Sequence, residues 1–470
     1  MFTAKMGNIF EQGLHSLRVA ARFPRERAIP YWSRERIAAL RDQRVRDMVR
    51  HAATTVPYYQ RLFAQLKLDP REIRGAGDLR LMPLLEKSQV RANPRDIVST
   101  APEAQDAVRF KTSGTTGEPI EIWHDSGSIL ADVARKERER MPIRSLDGVP
   151  YFYRTCSLRS ARSGVVSGRK YIQSRMFLPF FGLLLEPDVE QAAEVTAQQI
   201  NHFKPHVIIG HGMAIDTFFK AVHAGGWSLW RPRVLIYSAE EMTPQGRDLI
   251  ERRFQIPVWT LYNAIESFRI GFSCEASAGI HLHEDLCHVR VLRRDATDAE
   301  PGESGEVTIT NLVNRATVLI NYRLGDLASL STQNCFCGRT LKIMESLDGR
   351  VDDMIFLASG RTLPPRFVAS SFKRFDGIRQ YLFIQHGPRE FEVKLVPADA
   401  SSAGALAAQV VSEFRGLLGE DAQVWVTLCG EIPRPAHGKF RFVISHAKPS
   451  WWTDPTLVSR EGEAVATRLA

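Results

Sequence analysis

The chain of 470 residues exceeds one ordinary domain, and with 44% apolar and 24% charged residues it has globular composition and material for more than one core. No apolar run approaches the roughly 18 residues needed to span a bilayer, and the charged N-terminal stretch lacks the apolar block of a secretory signal, so a cytoplasmic protein without a membrane span is expected. The net charge of +9 raises nucleic acid as a partner, but the basic residues are scattered and no zinc-finger or RNA-binding signature accompanies them; anionic small substrates or an acidic carrier protein suit such a surface better.

Apolar positions Ile37, Leu40, Val45, Met48 and Val49 recur at three- and four-residue spacing and predict a helix within 34–68, followed by a loop over 69–77. Residues 107–123 read as strand, Gly-rich polar turn, strand. Val207-Ile208-Ile209-Gly210 and Val234-Leu235-Ile236-Tyr237 are short apolar runs that end at turn signals, with helical patterns between and after them. The expected fold is a large α/β N-terminal domain with mixed sheets and flanking helices. After Gly349 the texture changes: Ile355–Leu357, Tyr381–Ile384, Phe391–Val396 and Val424–Leu428 read as strands and Ala403–Leu418 as helix, a small α+β domain. The predicted division is 1–350 and 353–470.

The strongest local signal is Lys111-Thr112-Ser113-Gly114-Thr115-Thr116-Gly117-Glu118-Pro119. Its glycines let backbone approach a ligand, successive amides can form an anion nest, and its hydroxyls add donors for phosphate oxygens. It is not the Walker loop, because no Gly-x-x-x-x-Gly-Lys-Ser/Thr is present. Five further segments follow in order: Ser238-Ala239-Glu240, Tyr262-Asn263-Ala264-Ile265-Glu266-Ser267, Tyr322-Arg323-Leu324-Gly325-Asp326, Gly349-Arg350-Val351-Asp352-Asp353-Met354, and Pro433 to Lys439.

Taken together these segments resemble the signature motifs of the adenylate-forming superfamily of acyl-CoA synthetases, adenylation domains and luciferases. Within it, the segments Thr55-Val56-Pro57-Tyr58-Tyr59 and Met82-Pro83-Leu84 resemble the phenylacetate–CoA ligases and the related capsule-biosynthesis proteins. The resemblance implies ATP-dependent conversion of a carboxylic acid to acyl-AMP with release of pyrophosphate, then transfer to CoA or another thiol. It implies that Ser113, Gly114, Thr115, Thr116 and Gly117, with Thr112, hold phosphates, and that Glu266 coordinates Mg²⁺ as a hard oxygen ligand. Tyr262 would stack on adenine beside Asn263 and Ser238, Ala239 and Glu240; Asp326 would accept from the ribose hydroxyls; Arg350 would reach ribose or phosphate. Lys439 would bridge the acyl carboxylate and the α-phosphate, and Asp352 would be the hinge of a mobile lid.

Cys274-x6-His281 with Cys335-x-Cys337 supplies three thiolates and an imidazole, a ligand set for structural zinc that would clip two loops together; His283 competes with His281 as the fourth ligand. Cys156, Cys287 and Cys429 lie apart and read as apolar packing. The acid pocket is expected along Tyr151–Cys156, Gln173–Phe181, His211–Ala214 and around Tyr237, where Tyr153, Phe177 and Phe180 would suit an aryl acid or ordinary core packing. After the Gly-Arg-x-Asp-Asp motif the chain reads Ala358-Ser359-Gly360-Arg361-Thr362-Leu363-Pro364-Pro365, closer to the capsule-associated relatives. That departure leaves adenylation intact and opens the acceptor to CoA, a carrier-protein thiol or an amine. An amide-forming ligase and a non-catalytic adenylate-binding scaffold are the alternatives, and a homodimer is within the expected range.

Overall fold

A computed structural model of the chain describes residues 2–112, 119–159, 164–177, 182–189, 191–433 and 441–448. The Ser33 hydroxyl accepts from the Arg36 N–H and starts the helix Arg34–Thr55. The helix predicted within 34–68 breaks at Val56, because the ring of Pro57 pushes the preceding residue into extended backbone. A second helix, Pro57–Leu66, begins there. The stretch read as loop contains a short turn, Pro70–Glu72, capped reciprocally by Asp69 and Glu72.

The centre is an eleven-stranded sheet. One half is parallel and pairs Leu184–Leu185, Thr155–Leu158, Val207–His211, Val234–Ser238 and Val258–Ala264 in that spatial order. These strands are almost continuously apolar, as helices on both faces require. From Phe268–Ser273 onward the pairing is antiparallel and includes Tyr322–Ser331 beside Ile343–Arg350. The register brings the C-terminal ends of the parallel strands level: Leu158 pairs with Gly210, His211 with Ser238, and Ser238 with Leu261. Ligands of parallel sheets bind at that edge.

An unexpected element packs under this sheet. The helix Glu137–Arg144 has the sequence ERERMPIR, yet its charged residues Glu137, Arg138, Glu139 and Arg140 are buried. Arg138, fully buried, donates to Glu26 at 2.8 Å and to both oxygens of Asp285 at 2.6 and 2.9 Å. Glu137 accepts from Arg27 at 2.7 Å, Arg144 at 2.7 Å and Arg140 at 3.0 Å. Each charge has a partner, which is what burial of ions demands. The network ties the N-terminal helices to the sheet.

The small C-terminal α/β domain has its own four-stranded sheet, Ile378–Gly387, Glu390–Pro397, Gln423–Leu428 and Val443–Ser445, with the helix Ala403–Leu418 over an aromatic core of Phe372, Phe383, Phe391 and Phe414. Among the described residues no helix is long and apolar enough to cross a membrane.

Candidate nucleotide site and metal cluster

Three of the sequence-selected residues meet on the strands Val258–Ala264, Tyr322–Ser331 and Ile343–Arg350. Asp326 and Arg350 are register partners on adjacent strands, and the Arg350 guanidinium lies 2.9 Å from one Asp326 oxygen. The phenol of Tyr262, at the end of the strand Val258–Ala264, donates to the other oxygen at 2.8 Å. Burial and the neighbouring Asp326 charge raise the Tyr262 phenol well above its usual range, so it remains a donor; the same carboxylate raises Arg350. Gly349, at φ +112°, sets Arg350 in place: a Cβ there would strain the backbone and meet the Pro365 ring at 2.7 Å.

Glu266 follows the same strand in a turn closed by Ser267 N–H to the Ala264 carbonyl at 3.1 Å. Two residues that the sequence did not single out hold this turn. Asn311, 1% exposed, donates to the Glu266 carbonyl at 2.9 Å. His124 stacks on Phe268 at 3.8 Å and bonds the Ile265 carbonyl at 2.7 Å. Burial presses the His124 imidazole down to about 4, so it is neutral and donates through Nε2. His124 ends the strand Glu121–His124 and so ties that strand to the turn that carries Glu266. Asn263, in the amide orientation that satisfies it, donates to the Tyr262 and Phe268 carbonyls at 2.9 and 3.2 Å, and so serves the backbone.

Ser238 is buried at the end of its strand, and Ala239 takes φ +69° as the chain turns toward Glu240. Gly212 lets the next helix approach this turn, since a Cβ there would meet the Glu240 carbonyl oxygen at 2.4 Å. The Thr112 hydroxyl accepts from Ile120 N–H at 2.9 Å at the base of the hairpin, which leaves its proton available to a ligand. Ser113, Gly114, Thr115, Thr116, Gly117 and Lys439, and with them Phe180 of the expected pocket, lie outside the described residues. Asp352 pairs with Lys448 at 2.7 Å and Asp353 with Arg441, both from the C-terminal end of the described chain.

The other aromatic residues expected around the acid do not gather at the strand ends. Tyr153 precedes its strand, beside Arg140 and Arg144, and Phe177 is 39% exposed near the N-terminal helix at Gly13.

Cys274, His281, Cys335 and Cys337 converge, with all four ligand atoms within 4.8 Å of one another. The Cys274 and Cys335 sulfurs are 3.5 Å apart, and His281 Nε2 stands 3.3 Å from Cys274 and 3.4 Å from Cys337. Two thiolates on a tetrahedral zinc, each at ~2.3 Å, stand about 3.8 Å apart, so the cluster fits such an ion with small adjustments. Of the two candidate histidines, His281 joins the cluster, whereas His283 is buried 3.7 Å from Glu139.

Residues 357–446 match the family model of the CapK C-terminal domain. The chain is 25% identical over 422 residues to the phenylacetate–coenzyme A ligase of Escherichia coli, covering 85% of this chain and 93% of the relative. The ligase of the same name from Thermus thermophilus is 24% identical over 454 residues, covering 88% and 98%. Among solved structures, 2-hydroxyisobutyryl-CoA ligase in its postadenylation state superposes with a TM-score of 0.74 over 94% of both chains at 16% identity. The same ligase in its thioesterification state gives 0.58 over 95% of this chain and 94% of its own, at 18% identity. Fold and sequence agree that the chain is an adenylate-forming ligase, phenylacetate–CoA ligase-like and with a CapK C-terminal domain.

Proposed function

We propose that the protein uses ATP and Mg²⁺ to convert a carboxylic acid to acyl-AMP, releasing pyrophosphate, and then passes the acyl group to a thiol, CoA being the leading acceptor. The observation that carries this reading is the Tyr262–Asp326–Arg350 constellation with Glu266 on the adjoining turn. Asp326 presents a carboxylate already oriented by two donors, a fitting acceptor for two ribose hydroxyls. Arg350 adds positive charge toward the phosphates, and Glu266 supplies the hard oxygen ligand suited to Mg²⁺, which when bound neutralises phosphate charge. Ser113 to Gly117 would cradle the β- and γ-phosphates. Lys439 would stand between the acyl carboxylate and the α-phosphate, lowering their repulsion and meeting charge as it develops.

The working division of the chain is 1–350 and 353–470, with Asp352 as the hinge. Support comes from the ion pairs that Asp352 and Asp353 make with Lys448 and Arg441, which couple the linker to the end of the lid. Cys274, His281, Cys335 and Cys337 would hold a structural zinc: four protein ligands close the coordination sphere and leave no position for substrate.

One observation favours a second acceptor. The match to the CapK C-terminal domain starts at residue 357, where the lid sequence departs from the phenylacetate–CoA ligases. That region forms part of the transfer state in the family it resembles, so an amine acceptor is the alternative second half-reaction. Pyrophosphate release measured across a panel of acids tests the first half-reaction. Adding CoA, a carrier protein or amines and weighing the product tests the second. Absence of acid-dependent pyrophosphate release across a broad panel would return the protein to an adenylate-binding scaffold.

A further inference from the structure

The C-terminal edge of the parallel strands carries Arg159, and the charged helix beneath the sheet is preceded by Lys136; the ionic network beneath the sheet uses neither cation. Arg159 directly follows the strand Thr155–Leu158 and reaches across to the Ser238 hydroxyl, with Nη2 3.4 Å from Oγ. Its Nε is buried with no hydrogen-bond partner among the described residues. Lys136 sits at the junction of two helices, closing Ser126–Arg135 and preceding the charged helix Glu137–Arg144. Among the described residues its ammonium has neither an ion pair nor a hydrogen bond, although Arg140, Arg269 and Arg159 lie near it, opposed by Glu139. The neighbouring arginines are engaged elsewhere: Arg269 binds Asp132 at 2.6 Å and pairs with Glu139, and Arg140 binds Glu137. Burial and the surrounding arginines press the Lys136 ammonium down to about 7, and burial lowers Arg159 against the opposing pull of Glu186 and Glu139, neither of which pairs with it.

Arg159 encloses an Nε without a partner, and Lys136, part-exposed, has no ion pair among the described residues; cations placed so suit a site where an anion arrives. Arg159, His211 and Ser238 stand level on neighbouring strand ends, at the edge where this architecture binds its ligand. We propose that the acid activated here carries a second anionic group, at the end remote from the reacting carboxylate, and that Lys136 and Arg159 bind it. This rests on the adenylation reading above and narrows it from any carboxylic acid to a dianionic one. Phe177, one of the aromatic residues expected around the acid, lies elsewhere, near the N-terminal helix at Gly13.

Matched acids test the proposal: hexanoate against adipate, and phenylacetate against 4-carboxyphenylacetate, in ATP–pyrophosphate exchange. The dianionic member of a pair should be favoured at least about tenfold in kcat/KM, the scale of a charge-assisted hydrogen bond. In Lys136→Met and, separately, Arg159→Gln, that preference should shrink toward unity, with the loss in KM for the acid. Lys136→Met removes no ion pair, so it keeps the test open should Arg159→Gln fold poorly. Equal or better use of the neutral-tailed acids by the wild type overturns the second-anion proposal while leaving the ligase reading standing. A rise in KM for ATP in place of the acid assigns the two cations to the triphosphate and also overturns it. No exchange with any acid of either kind overturns the ligase reading itself.

Discussion

Replacing Asp326 by Asn probes the nucleotide site with the least change of shape. The carboxylate accepts from Tyr262 at 2.8 Å and is ion-paired with Arg350 at 2.9 Å, and its side chain is 14% exposed. Asn keeps an oxygen for one of these donors but turns an NH2 toward the other and leaves the Arg350 charge without its nearest counter-ion. Losing one partner of a fully buried pair costs about 3–5 kcal/mol. Arg350 is 27% exposed, so water repays part of that, and a stability loss of about 1–3 kcal/mol follows. In the complex the variant also loses acceptance by a charged oxygen from ribose, worth about 1.5–3 kcal/mol, a factor of roughly 10–150 in Kd. Titration calorimetry with AMP and ATP measures the second effect, and chemical denaturation the first. Tyr262→Phe is the control: it removes one donor and leaves the charge, so it should weaken nucleotide binding by about 1 kcal/mol or less through this contact. Unchanged nucleotide affinity in a folded Asp326→Asn protein refutes the placement of ribose on this carboxylate.

Three other perturbations probe separate parts of the molecule. Purified protein should contain about one zinc per chain, and Cys335→Ser should lower both metal content and unfolding temperature; elemental analysis that finds no metal in protein prepared without chelator removes the site. Lys439→Ala should slow acyl-AMP formation by about 10²–10³ while transfer from supplied acyl-AMP persists, and adenylation at the wild-type rate rules the lysine out. Lys136→Met should stabilise the protein by about 0.5–2 kcal/mol at neutral pH. The lysine falls from 10.5 to about 7 on folding, so the unfolded chain binds the extra proton between those values, and wild-type stability rises with pH across that window. The variant should lack that rise, as denaturation curves at pH 7 and pH 10 would reveal.

What could be read from the sequence follows from how far apart the deciding residues lie. The parallel strands 207–211 and 234–238 were visible because burial on both faces writes itself as a continuous apolar run. The helix Ala403–Leu418 was visible because its apolar stripe repeats within the element. The hairpin around the Gly-rich turn and the metal ligands announced themselves by residue type at short spacing. Helix Glu137–Arg144 could not be read this way. Local composition assigns ERERMPIR to solvent, and its burial is decided by Glu26, Arg27 and Asp285, more than a hundred residues away in sequence. His124 was passed over for the same reason, since its partners Ile265 and Phe268 come from a strand turn far along the chain.

The acid pocket expected from the sequence is only partly gathered at the strand ends: His211 and Tyr237 stand there, whereas Phe177 lies near Gly13. The aromatic residues along 151–181 suited an aryl acid or core packing equally, and the register of the parallel strands decides which side chains reach the strand ends. The strand Thr155–Leu158 delivers Arg159 there, level with His211 and Ser238. The charged helix beneath is preceded by Lys136 and finishes with Arg144 against Tyr151. A helix this charged could have been anchored by its ion pairs alone, with every cation matched. The arginines of its body are matched, through Glu137, Glu26 and Asp285, and so is Arg269 beside it. Arg159 and Lys136 are left without an ion pair among the described residues, and a second anion on the acid is the partner proposed for them.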